Sequence, residues 1–464
     1  MASTYLTNTF GTPTNQNIWT FSCWIKRSND NVAETIFAPD IPNGSIYNQM
    51  LLRADGTLQW YGTDDAGGNS MDLTTNRVFG DINAWYHLVF AWDSTQGTAS
   101  NRAKLYVNGV QETSFSTATY PVQNSTAVYT WNEASRLHSL GARRYTGSPT
   151  GYFSGSMSHV HFCDGTALAP TVFGSTDATT GEWKINTSPT FTLGTNGFTI
   201  LKDGNTITDQ SSNSNDFTLA SGTLTKTEDC PSNVFCTLNP LVNPNSATLS
   251  NGNTHSNKSS AHAIVQSTIA CGYPNAPSTA KFYWETKMEA TDGRTVGLIK
   301  SNIPQNTTWF DDYLGANSGG DGVIGYYLGN YVSSSQSIIS YNGTSPAITI
   351  STGFSTGDVM VHAYDANTGK YWQGKNGVWF TYGGGVGNPA TGAYPLVTLN
   401  ATDREHFIFP AESSQDGRWS WNFGNGYFKT TAVSSAGTNA SGIGIFEYDV
   451  PTGFTAISTK GLNA

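Results

Sequence analysis

Two adjacent acid pairs, Asp64-Asp65 and Asp311-Asp312, are the first positions to weigh for catalysis. Cleaving a glycosidic bond takes two facing carboxylates, roughly 5–5.5 Å apart for retention and wider for inversion. Neighbours in a strand point to opposite faces, so neither pair suits that chemistry. No Glu-x-Asp-x-Glu alternation occurs. Both pairs read as solvated loop acids, or as contacts to a metal or partner. His159 and His161 lie two apart on one side of an expected strand, a candidate metal pair. No third ligand is marked, and strand histidines with internal partners are the favoured reading. Asp203, Asp209 and Asp216 are candidate oxygen ligands for Ca2+, with Asx-turn chemistry as the alternative; no other cofactor is expected. Gly383-Gly384-Gly385-Val386-Gly387 lacks the Lys-Ser/Thr of a phosphate loop and reads as a flexible loop.

Aromatic side chains in loops are the more useful signal. Tyr and Trp pair a flat apolar face with a polar edge, which suits both sugar stacking and protein interfaces. Trp60 and Tyr61 stand beside Asp64 and Asp65, and Trp309 stands beside Asp311, Asp312 and Tyr313. Tyr326, Tyr327 and Tyr331 form a third group. These eleven residues are the candidate ligand-binding set, and packing in a core is the alternative for each. The 303–331 region is the preferred one.

Composition narrows the partners. Only 12% of the 464 residues are charged, about half the usual share, and Gly, Ser, Thr and Asn take their place. Those residues favour turns and strands over helices. A net charge of −10 without a basic cluster argues against nucleic acid, which needs concentrated Lys and Arg. No apolar run nears the ~20 residues that cross a bilayer, so no membrane insertion is expected. The opening MASTYLTNTFG has no basic or apolar region of the kind a signal peptide carries. Five cysteines, an odd number, make a poor disulfide framework. Cys230 and Cys236 are near enough in sequence to bridge, but small buried thiols are the preferred reading.

The elements that must position these groups are strands. Residues 19–25 alternate with the strand period. Leu51–Tyr61 reads as a hairpin around Ala54-Asp55-Gly56. Trp85–Trp92 is a long strand, and Lys104–Gln111 is a hairpin whose Asn108-Gly109 suits a type I′ turn. Gly151–Asp164 follows, then a single helical turn at Ala167–Thr171. Further on, Phe282–Lys287 and Val296–Ile299 read as strands. Gly357–Trp379 reads as a three-stranded meander with two turn signals.

The strand Phe21–Arg27, Trp85–Val89, Leu105–Gly109, and Gly155–Gly165 with Ala167–Pro170 occur in an order that resembles the laminin-G-like branch of the concanavalin-A-like lectin/glucanase superfamily. Residues 357–379, with Tyr394–Val397 and Asn422-Phe423-Gly424, resemble a SPRY domain, itself a sandwich of that type. The resemblance implies an all-β chain of two antiparallel jelly-roll sandwiches. Its expected divisions are a laminin-G-like module at 1–225, a Pro/Asn-rich linker at 226–258, a SPRY-like module at 259–428 and a tail at 429–464. The whole arrangement resembles structural proteins of marine tailed phages. It therefore implies a non-catalytic virion protein, assembled in the host cytoplasm and displayed as a tail-fibre-like or head-decorating component. Its partners would be other virion proteins and a host surface glycan or receptor, and a homo-oligomer, a trimer by preference, is expected. A glycan depolymerase is the alternative.

Overall fold

A strand packed on one side only is apolar at every second position. Several strands here are buried at consecutive positions, and covering their second face organises both halves of the molecule. The computed structural model describes residues 3–41, 47–63, 70–125, 130–202, 206–242, 247–257, 263–290, 294–301, 328–332, 337–341, 348–350, 352–414 and 418–463. Among these the chain is all-β, with short 3-10 turns as its only helical pieces. It divides into two compact units, Met1–Lys226 with Cys230–Ser232, and Thr227–Asp229 with Asn233–Ala464.

The first unit is a sandwich of two antiparallel sheets. One has eight strands in the order Phe115–Thr119, Ser70–Val78, Thr57–Thr63, Asn48–Leu52, Glu34–Pro39, Leu137–Leu140, Tyr5–Thr9 and Thr218–Ser221. The other has six, in the order Phe198–Ile200, Gly155–Asp164, Ile18–Arg27, Trp85–Asp93, Ala103–Val107 and Val110–Gln111. Between them Trp19, Phe21, Leu88, Phe90, Met50, Trp60 and Leu73 form one core. Trp19 stacks on Trp92 at 5.7 Å and meets Trp60 edge-on at 5.8 Å.

The outer face of the six-stranded sheet is buried as well, at Thr20, Ser22 and Trp24. Residues 166–197 cover it. Thr20 Oγ1 donates to Thr166 O and accepts from Leu168 N, both at 2.8 Å. The Trp183 indole N–H donates to His87 Nδ1 at 3.0 Å. An indole only donates, so Nε2 carries the His87 proton and donates to Ser22 Oγ at 2.9 Å. Burial lowers the His87 pKa to about 3, which keeps the ring neutral. The turn at Asn108 and Gly109 has φ of +47° and +80°, the geometry of type I′. The Trp183 ring lies directly on Gly109, where a Cβ would collide with it.

The second unit repeats this solution. One sheet runs Thr248–Ser250, His255–Asn257, Arg418–Asn422, Lys281–Met288, Val359–Asp365, Lys370–Lys375 and Val378–Trp379. Val397–Thr398 joins beside Lys370–Lys375, and Thr455–Ala456 runs parallel to Lys281–Met288. The other runs Ala263–Gln266, Ile408–Ser414, Arg294–Lys300, Leu328–Val332, Ser337–Tyr341 and Ile348–Ile350. Val359–Asp365 is buried at every position. Met360 and Tyr364 enter the inter-sheet core with Phe282, Trp284 and Trp421. Val361 and Ala363 point the other way and pack with Tyr283, Trp372, Phe446, Val450 and Phe454. Asn376 and Gly377 form a second turn with φ of +50° and +81°. A Cβ on Gly377 would sit 2.6 Å from the Tyr448 ring.

Three segments differ from expectation. Residues 226–258 include the strands Thr248–Ser250 and His255–Asn257, and Phe235, Cys236 and Leu238 are buried. Residues 429–464 supply Phe446, Val450, Phe454 and Ile457 to buried clusters. Irregular coil laid across a sheet needs apolar side chains at no fixed interval, so neither segment shows a period. Gly383-Gly384 is the turn of a hairpin pairing Thr381–Tyr382 with Gly385–Val386, with φ of +64° and +93°, rather than a flexible loop.

The glycine under Trp183 gives a direct test. Gly109→Ala combines left-handed backbone strain with a ring collision and should destabilise the chain by about 2–4 kcal/mol. Gly97→Ala, where a Cβ meets nothing within 4 Å, should change stability by less than about 1 kcal/mol in the same denaturation series.

Candidate functional site

The eight-stranded sheet of the first unit leaves part of its outer face to solvent. Alternation along Thr57–Thr63 buries Leu58 and Trp60 and turns Gln59 and Tyr61 outward, half-buried. Gln49 pairs with Tyr61 in register, and Tyr61 pairs with Asp72. Arg143 extends this row, its Nη1–H donating to Gln49 Oε1 at 3.1 Å. The short hairpin of Arg143–Tyr145 and Ser148–Thr150 carries that guanidinium. Its backbone is tied to the sheet through Ile41 N to Arg144 O at 3.0 Å and Thr146 N to Ile41 O at 2.8 Å.

Three tyrosines gather here. Tyr145 stacks on Tyr47 with ring centroids 5.7 Å apart and planes 22° apart. The hydrogen bond between their hydroxyls raises the pKa of Tyr47, with Tyr61 adding to the rise and Arg143 opposing it. Beyond Tyr61, Asp72 Oδ2 accepts from Gln59 Nε2 at 3.0 Å and Oδ1 accepts from Thr74 Oγ1 at 2.7 Å. The result is a half-exposed patch of phenol rings with amides along it, a cation at one end and a carboxylate at the other. It can stack a flat apolar ring face and hydrogen-bond the hydroxyls around it.

Tyr61 is the one expected site residue on this patch among the described residues. Trp60 is not a ligand residue: it is fully buried, the inward partner of Tyr61. Asp64, Asp65, Trp309, Asp311, Asp312, Tyr313, Tyr326 and Tyr327 lie outside the described residues. Tyr331 falls in the strand Leu328–Val332, in register with Thr295 and Ile338. Tyr47, Gln49, Asp72, Arg143 and Tyr145 went unnoticed in the sequence. Arg143 and Gln49 are 94 residues apart, and only folding brings them together.

The other candidates are absorbed by structure. Asp209 Oδ1 accepts from the backbone N–H groups of Thr199 and Ser211, and Oδ2 from Ser211 Oγ and Asn215 N, all at 2.8–2.9 Å. Asp216 Oδ1 accepts from Asp209 N at 2.8 Å; this is turn chemistry, and Asp203 lies outside the described residues. A bulge between Ser158 and His161 shifts the register at His159, and the two histidine rings remain in edge contact with centroids 6.3 Å apart. His159 Nδ1 bonds Ser158 Oγ at 2.7 Å, and His161 Nδ1 bonds Thr199 Oγ1 at 2.9 Å. Among the described residues no group of three or more His, Cys, Asp or Glu could hold a metal ion. None of the five cysteines is in a disulfide, and every one but Cys230 is buried.

Three carboxyls have pKa values raised to about 7, chiefly by burial: Glu34, Glu285 and Glu412. Each serves the interior. Glu34 faces Arg27 at 3.6 Å. Glu285 accepts from Tyr283 Oη, Asn422 Nδ2 and the backbone N–H groups of Glu447 and Tyr448, which fastens the covering segment to its sheet. Glu412 accepts from the Trp421 indole at 2.7 Å across the core. The second unit also holds a cavity of about 630 Å³ beside Lys375, Asn376, Val378 and Trp379. Its lysine is already paired with Asp358 at 2.7 Å.

A carboxyl with its pKa raised on folding stabilises the fold fully below its unfolded value, and loses that contribution as pH rises through the folded one. Glu412 should therefore contribute less to stability at pH 8 than at pH 5, by up to a few kcal/mol, opposite in sign to buried neutral histidines such as His87. Glu412→Gln, neutral throughout, should raise the urea midpoint at pH 8 relative to that at pH 5, compared with the wild type.

No curated protein matches the chain in sequence. Among solved structures it is similar to the SPRY domain of human HERC1, with 11% identity over 40% of this chain and 96% of that one and a TM-score of 0.27. It is also similar to domains LG4-5 of the mouse laminin alpha1 chain, with 11% identity over 90% and 86% and a TM-score of 0.28. The CBM40 of Ruminococcus gnavus IT-sialidase shows 13% identity over 37% and 92%, with a TM-score of 0.26. Residues 2–173 match the Laminin_G_3 family model of the concanavalin A-like lectin/glucanases superfamily, so the chain carries a concanavalin-A-like domain over that stretch.

Proposed function

We propose that this chain is a non-catalytic recognition protein that holds a host-surface glycan on the open face of its eight-stranded sheet. The observation that carries this reading is the patch of Tyr47, Tyr61 and Tyr145, preset by strand register and edged by Gln49, Gln59 and Asp72. A pyranose offers an apolar C–H face to a phenol ring and hydroxyls to the amides and carboxylate beside it. The low charge of the chain suits a hydroxyl-rich partner surface.

The setting belongs to the same proposal. The order of the sandwich motifs, which resembles that of marine tailed-phage structural proteins, supports a place on the outside of a virion, as a tail-fibre-like or head-decorating component. A homo-oligomer, a trimer by preference, accords with how such appendages are built. Immunogold electron microscopy of purified virions should label the particle surface, and a virion proteome lacking the chain would remove the setting without touching the sugar-binding reading.

Tyr61→Ala and Tyr145→Ala should each weaken retention on an immobilised host polysaccharide roughly tenfold, with the thermal transition unchanged. Incubation of the wild-type chain with that polysaccharide should release no new reducing ends. Undiminished retention by both variants would remove the patch from the account, and released ends would favour a depolymerase.

A further inference from the structure

We propose that the tyrosine face selects an acidic sugar, a uronate unit whose carboxylate is held by Arg143. The inference rests on the glycan reading above and narrows it to a substrate class.

Arg143 stands apart from the other arginines of the first unit. Arg27, Arg53, Arg77, Arg136 and Arg144 each face a carboxylate, at 3.6, 3.8, 2.8, 2.7 and 3.9 Å. Arg102 spreads its guanidinium over the carbonyl oxygens of Gln96, Gly97 and Pro121. Arg143 has one hydrogen bond, to the neutral amide oxygen of Gln49, and no carboxylate partner among the described residues. A guanidinium carries five N–H donors in a planar fork that matches a carboxylate. Here most of that fork is unused, half-buried and next to a stacking surface. In a chain of net charge −10, where acids are the commoner charged group, a guanidinium with no carboxylate partner among the described residues marks a place where a ligand can supply one.

The row also fixes a direction. Asp72 lies at the far end, beyond Gln49 and Tyr61 in the strand register. It repels an anion and accepts from hydroxyls. A uronate would lie with its carboxylate on Arg143, its ring on the phenols and its hydroxyls toward Asp72 and Gln59. The overall negative charge opposes an acidic polymer at long range. At an ionic strength of 0.15 M that field is screened within about 8 Å, so the local cation decides.

The test uses the full chain and two acidic polymers, polygalacturonate and alginate, each beside its carboxyl-reduced form, which keeps the sugar backbone without the charge. Affinity electrophoresis should show the wild type binding at least one acidic polymer roughly tenfold or more tightly than its reduced form. Arg143→Gln should erase that preference, bringing binding of the acidic polymer down to that of its reduced form, and Arg143→Lys should keep part of it. Equal binding of acidic and reduced forms by the wild type, or a preference that survives Arg143→Gln, overturns the acidic selection and leaves the glycan reading standing. Failure to bind either acidic polymer also overturns it, and retention on a neutral hexosan then still supports the broader reading. Acidic binding undisturbed by Tyr61→Ala would sink the patch itself. Because Arg143 makes a single hydrogen bond among the described residues, its variants should melt with the wild type.

Discussion

The structure depends on covering sheet faces that cannot be left wet. A two-layer sandwich buries two faces between its sheets and leaves two outside. In each unit one of those outer faces carries side chains that water would not tolerate: Trp24 and a neutral His87 in the first, Val361, Ala363 and Trp372 in the second. The chain supplies the cover itself. Residues 166–197 and 443–456 are mostly irregular, and each places an aromatic ring on the glycine of a type I′ turn, Trp183 on Gly109 and Tyr448 on Gly377. Polar ties hold them there, through His87 in one unit and Glu285 in the other.

That requirement decides which face stays open to solvent. With the outer face of the six-stranded sheet taken, the first unit presents the other sheet, where Gln59, Tyr61 and Asp72 point outward. It also explains why so few charges are needed. Much of the polar surface is spent on turns and on backbone groups of irregular segments, as with Asp209 and Asp177, whose carboxylates accept from nearby N–H groups.

The sequence made the strands legible because their signals are local. Alternation in Trp19–Ile25, the Asn108-Gly109 turn and the meander of 357–379 all appear at their expected places. The same rule, applied one step further, separates Trp60 from Tyr61: adjacent residues of one strand cannot share a face. The patch itself was largely illegible, since Tyr47 is separated from Arg143 and Tyr145 by many intervening strands and they carry no common spacing. The covering segments were read as linker and tail because Phe235, Phe446, Val450 and Phe454 keep no period. A bulge at His159, with φ of +48°, carried no local signal, but the two histidines keep the internal partners expected of strand histidines.

The thiols bear on how the molecule can be handled at the bench. Cys23, Cys163, Cys236 and Cys271 are buried, and burial holds the thiols of Cys23, Cys163 and Cys271 above their ordinary range. A maleimide dye at neutral pH would accordingly reach Cys230 first, giving a native attachment point for a fluorophore in the chain as it stands.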